Sequence, residues 1–147
     1  MTIWDAAVRS SMVNRAGRLT DGTRPAWGKM NASGMMAHLN DSYRMALGDL
    51  KVKSKNLPLR YPGIKQLVIY ALPFPKGAPT APELVARCDG AVLVDEHRAY
   101  VELMSRLGAV SAGATLADHP AFGNLTHNAY GVLIARHTDH HLRQFGL

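Results

Sequence analysis

Residues 126–145 read THNAYGVLIARHTDHHLRQF, and this stretch decides the fold class. Tyr130, Leu133, Ile134, His137 and His141 recur on neighbouring turns, the period of an α-helix that buries one face. Thr126 stands where a hydroxyl can accept from the free N–H groups of a first turn, so the spacing predicts a helix capped there and running toward Phe145. No pair of segments alternates with the period of two that strands need.

Working outward, Asn31 can cap Ala32 to Leu47, where Met35, Leu39, Tyr43 and Ala46 form an apolar stripe and Gly48 supplies the stop. This second helix carries His38. A first helix is predicted over Ile3 to Leu19, with Ala6, Val8, Met12 and Ala16 at helical period before Asp21, Gly22 and Pro25 break it. A third long helix is predicted from Gly90 to Leu107 by Leu93, His97, Tyr100, Met104 and Leu107, closed by Gly108. Six of the eight prolines fall between Pro58 and Pro82, so that region reads as loop, interrupted by one short helix over Ile64 to Leu72. The expected architecture is all-α, four principal helices with long loop-rich connections, and 147 residues suit a single domain over 1–147.

Composition narrows the function classes. The formal charge is +6 with a pI near 9.8, which implies weak attraction to polyanions. Lys51, Lys53 and Lys55 are loosely grouped, and no basic run interleaves with aromatics, so no specific nucleic-acid surface is expected. Cys88 is the only cysteine, which excludes an intrachain disulfide and a cysteine-caged zinc site and fits a reducing compartment. The opening Met1-Thr2-Ile3-Trp4-Asp5, with Arg9 soon after, offers no apolar signal-peptide core. The longest apolar run, Leu67 to Leu72, is far below the roughly 20 residues of a membrane span, and the expected location is cytoplasmic.

Seven histidines are present, three of them in His137, His140 and His141. Residues four apart on a helix have Cβ atoms about 5 to 6 Å apart, so His137 and His141 can both approach one ion at about 2.0 to 2.1 Å. His140 points about a third of a turn away from His137 and is left out. Taken alone, such a pair is more often hydrogen-bonded or solvated than ligating. A catalytic site usually needs a third protein ligand besides an open position. His38 is the choice, because its helix face adds Met35, Ser42 and Met45, a partly apolar lining in which an unpaired histidine needs explaining, and His97, within an apolar stripe, is its rival. His119, His127 and His140 are assigned to structure or surface, because each lacks a partner at chelating spacing.

Trp27-Gly28-Lys29-Met30, Met35-Met36-Ala37-His38, His119-Pro120-Ala121-Phe122-Gly123 and the ending His137-Thr138-Asp139-His140-His141-Leu142-Arg143-Gln144-Phe145 together resemble the DinB-like superfamily, in a branch of unassigned function. The resemblance spans Trp27 to Gly146, although Leu50 to Asp118 adds little to it. It implies a four-helix bundle, usually a homodimer, whose divalent ion, zinc or nickel, is held by His38, His137 and His141. It also implies a metal-dependent S-transferase that activates a low-molecular-weight thiol such as bacillithiol or mycothiol. The alternative is a non-catalytic binding module stabilised by the same metal. Asp41, Ser42 and Gln144 are candidates to orient a ligand, and Arg143 to attract an anion. Phe122 is expected to staple the last helix to the core, and Trp27 to pack near the start of the second helix.

Overall fold

Local signals set the ends of the long helices. In the computed structural model, which describes residues 1–147, the Asp5 carboxylate accepts from the Ala7 N–H and starts α1, Ala6–Ala16. Periodicity places this start earlier, at Ile3. The structure moves it because the Ile3 N–H donates to the Gly131 carbonyl at 3.0 Å, and the Ile3 side chain is fully buried. In α2, Ala32–Leu47, Asn31 Oδ1 accepts from the Gly34 N–H at 2.7 Å, and Gly48 closes the helix at a φ of 87°.

The short helix expected over Ile64 to Leu72 is present in two parts: α3, Ile64–Gln66, runs into a π-helical turn, Leu67–Ala71. The last carbonyls of a helix have no partner within it. Arg136 of the last helix takes them, its guanidinium donating to the carbonyls of Val68, Ile69 and Leu72. Ile69 is buried against Phe122, Ala129 and Leu133, so Phe122 staples the last helix as expected. Further along, α4 spans Leu93–Gly108, with Asp95 and Glu96 in its first turn where the helix dipole favours negative charge. Thr126 accepts from the Ala129 N–H and caps α5, His127–Gln144.

The chain is all-helical and forms no strand, only one isolated bridge between His119 and Gly123. α2 packs against α4 and α5, and α1 packs against the same two helices. Almost every residue of α2 is buried, which puts His38 inside the protein. Tyr43, Tyr100, Tyr130, Met35, Leu107 and Leu142 fill the core between these helices. The Thr138 hydroxyl donates to the Ile134 carbonyl at 2.8 Å, which leaves its oxygen to accept from Tyr43 at 2.7 Å and ties α2 to α5. No helix is long and apolar enough to cross a membrane.

Candidate metal centre

The helix period of α5 puts His137 and His141 on one face, and α2 lays His38 against them. His137 Nε2 lies 3.1 Å from the Nε2 of His38 and 3.1 Å from the Nε2 of His141. All three ligand atoms fall within 4.8 Å of one another. For comparison, donors about 2.05 Å from a tetrahedral ion are separated by about 3.3 Å. His38 and His141 are buried and His137 is half-buried.

Hydrogen bonds behind two of the rings decide which nitrogen faces inward. His38 Nδ1 is 3.0 Å from the Leu84 carbonyl, which can only accept, so Nδ1 carries the proton and Nε2 keeps its lone pair. Gln144 Nε2 donates to the Trp27 carbonyl at 2.6 Å, which leaves its Oε1 as the acceptor for His141 Nδ1 at 2.8 Å. His141 Nε2 is therefore also a bare lone pair. His137 Nε2 sits between these two acceptors and has at most one proton to share. Such a donor set fits a divalent cation.

Electrostatics keep the rings neutral. Burial is the largest cause at each: it lowers His38 despite the Leu84 bond, and lowers His137 well below its ordinary value with help from His141 and His38. Burial and then the charge of His38 bring His141 to about 3. Neutral imidazole is the form that binds metal.

Among the other sequence candidates, His97 is not part of the cluster. Its Nε2 lies beside Gly17 at the end of α1, buried and without a hydrogen-bond partner. Packing of α2 on α5 thus favours His38 over its rival. Gln144, a candidate to orient a ligand, accepts from His141 Nδ1 at 2.8 Å. Ser42 instead donates to the His38 backbone carbonyl at 2.9 Å. Asp41 pairs with Arg44 and Arg87, and Arg143 pairs with Asp139 at 2.9 Å. The Ala26 N–H donates to the Gln144 carbonyl at 2.7 Å, and the adjacent Trp27 indole stands edge-on to His140 near the end of α5. Cys88 is buried, its thiol pushed up by desolvation, and donates to the Gly34 carbonyl at 3.2 Å.

Three features near the cluster escape sequence reading. Phe74 sets its ring edge-on to His137 and His140, and Lys76 Nζ lies 4.5 Å over the Trp27 ring. Leu84 contributes only a carbonyl, a group with no signature in sequence.

His119 has a structural role. Its Nδ1 accepts from the N–H groups of Ala121 and Phe122 at 3.1 and 3.3 Å, shaping the entry to α5. Burial, reinforced by Arg60, lowers it to about 4. The unfolded chain takes up this proton near pH 6.5 and the folded chain near 4, so stability is full above pH 6.5 and falls as pH drops through that window. The expected loss from this residue alone is on the order of 3 kcal/mol. Melting of metal-free protein from pH 8 to 4 checks it: His119→Asn, which keeps an acceptor for the two N–H groups, should flatten part of the slope.

The fold and the cluster define an all-helical chain with three convergent imidazoles. Over residues 8–146 it matches the model of a family described as "Protein of unknown function (DUF1569)", and the chain belongs to that family. No curated protein and no solved structure matches it.

Proposed function

We propose that this chain is a single-domain, DinB-like four-helix bundle that binds one divalent metal ion, zinc or nickel, through the Nε2 atoms of His38, His137 and His141. The observation that carries the reading is the convergence of three neutral ring nitrogens, two of them fixed as acceptors by the Leu84 carbonyl and by Gln144. Without a cation, the single proton that His137 Nε2 can carry satisfies at most one of its two acceptors at 3.1 Å, and leaving the other buried lone pair unpaired costs free energy.

The activity proposed is a metal-dependent S-transfer from a low-molecular-weight thiol in the cytoplasm, by a homodimer. A bound divalent ion supplies Lewis acidity that lets a small thiol ionise near neutral pH. The protein's own groups hold and orient: Gln144 and the Leu84 carbonyl fix two rings, while Phe74, Trp27 and His140 form an aromatic rim. Lys76, exposed over Trp27, suits a thiol that carries a carboxylate. In the transfer the sulfur forms a bond to an electrophilic carbon, the leaving group departs with the bonding pair, and the thiol proton goes to solvent.

A second reading, a non-catalytic module, is favoured by one fact: the cluster joins helices whose histidines stand 99 residues apart, so an ion there would tie α5 to α2. Elemental analysis of protein purified without an affinity tag tests the metal. Conjugation assays with several thiols and electrophiles, with and without metal, separate the two readings. Metal present with no turnover for any thiol would leave the module.

A further inference from the structure

The acceptor that fixes His38 does not sit on a long helix. Leu84 ends a three-residue turn, Pro82–Leu84, in the connection before α4, and the backbone–backbone hydrogen bonds of that turn reach only a few residues. Its position relative to α2 therefore depends on what anchors it. Apolar contact of Ala81 and Leu84 with Met45 is one anchor, the Cys88 thiol on the Gly34 carbonyl is another, and the Glu83 carboxylate, which accepts from the Lys53 N–H at 3.0 Å, is a third. The first has no direction, the second is a weak thiol bond, and the third does not reach α2.

Arg87, three residues after Leu84, is the directional anchor. Its Nε and Nη2 reach Asp41 at 3.1 and 2.9 Å, and its Nη1 reaches Glu96 at 2.6 Å. Asp41 lies one helical turn beyond His38 on α2, so the guanidinium refers the connection to the same helix that carries the histidine. Glu96 belongs to α4 and also accepts from Asn40 of α2 at 2.8 Å, which closes the network. Both carboxylates are buried, at 5% and 8% side-chain exposure, whereas Arg87 is 45% exposed. Buried ion pairs add little net stability compared with apolar packing. What a planar guanidinium fork on two carboxylates supplies is geometry.

We propose that Arg87 is a positioning residue for the metal centre: by clasping Asp41 and Glu96 it holds the Leu84 carbonyl on His38 Nδ1, and so aims His38 Nε2 at the other two histidines. The placement stands on the metal-free geometry, and its effect on metal binding rests on the function proposed above.

The test uses metal-free full-length protein labelled with nitrogen-15 at histidine, comparing wild type, Arg87→Lys, Glu96→Gln and, as a control, Arg106→Met. Arg106 pairs with Asp49 between α4 and the end of α2, an exposed pair that shares no hydrogen bond with Leu84 or Arg87, so its loss reports ordinary destabilisation. In wild type the His38 Nδ1 proton should be visible and slow to exchange. In Arg87→Lys and Glu96→Gln its exchange should quicken at least about tenfold, and the dissociation constant for cobalt(II) should rise about 10- to 100-fold, while the control keeps both. The proposal is overturned if Arg87→Lys keeps the protected Nδ1 proton, if the control loses it equally, or if wild-type His38 carries its proton on Nε2. A wild type that binds no cobalt refutes the metal reading, and the exchange data still decide the placement of His38.

Discussion

Adding a stoichiometric excess of zinc or nickel to metal-free protein raises its melting temperature by roughly 10 °C or more. At a free concentration about a thousand times the dissociation constant, a ligand bound only by the folded state adds about 4 kcal/mol. At about 2.1 cal/mol/K per residue, unfolding this chain has an entropy near 0.3 kcal/mol/K, which gives the temperature shift. The gain should vanish in His38→Ala, His137→Ala and His141→Ala, because two imidazoles seldom hold such an ion strongly. His97→Ala should keep it, since that ring lies by Gly17 and not in the cluster. Scanning calorimetry with and without metal checks the whole set, and equal melting of the two forms in wild type would end the metal reading. The Leu84 and Gln144 bonds sharpen the expectation: Gln144→Leu should weaken binding about 10- to 100-fold without abolishing it.

Gly131→Ala lowers stability by about 2 kcal/mol, although local reasoning gives the opposite sign. Glycine within a helix costs about 1 kcal/mol relative to alanine, and Gly131 is inside α5. A Cβ at this position would, however, overlap the Trp4 indole and the Thr2 hydroxyl. Trp4 cannot simply swing away: it stacks on His127 with ring centroids 4.2 Å apart, and its Nε1 donates to the His127 carbonyl at 2.8 Å. Overpacking of this kind costs about 1 to 3 kcal/mol, and the Gly131 carbonyl bond to the Ile3 N–H would be strained with it. Denaturant midpoints of Gly131→Ala, Trp4→Ala and the double variant form the test. The double variant should show non-additivity, since removing the indole removes its share of the clash and leaves only the Thr2 hydroxyl to move; simple additivity, or a more stable Gly131→Ala, would show that the N-terminal segment yields freely.

The long helices were legible because their signals are local. Asn31, Thr126 and Gly48 each act on groups within a turn of themselves, and the apolar period fixed the face that each helix buries. α2 has the bounds that this reasoning gives. Where local logic fell short, a distant partner intervened: Gly131 captures the Ile3 N–H and delays α1, Arg136 supports the π-helical turn after α3, and the Trp27 indole meets His140 near the end of α5.

By itself the sequence determined that the chain is helical and that His137 and His141 share a face, because spacing along a helix is a property of the backbone. Sequence already preferred His38 to His97, and tertiary structure brought His38 to the pair; tertiary structure alone decided that the Leu84 carbonyl and Gln144 set the ring tautomers and that Arg87 bridges two helices. The reason is physical: each of these contacts depends on how α2 packs against its neighbours, and a carbonyl acceptor belongs to every residue type alike.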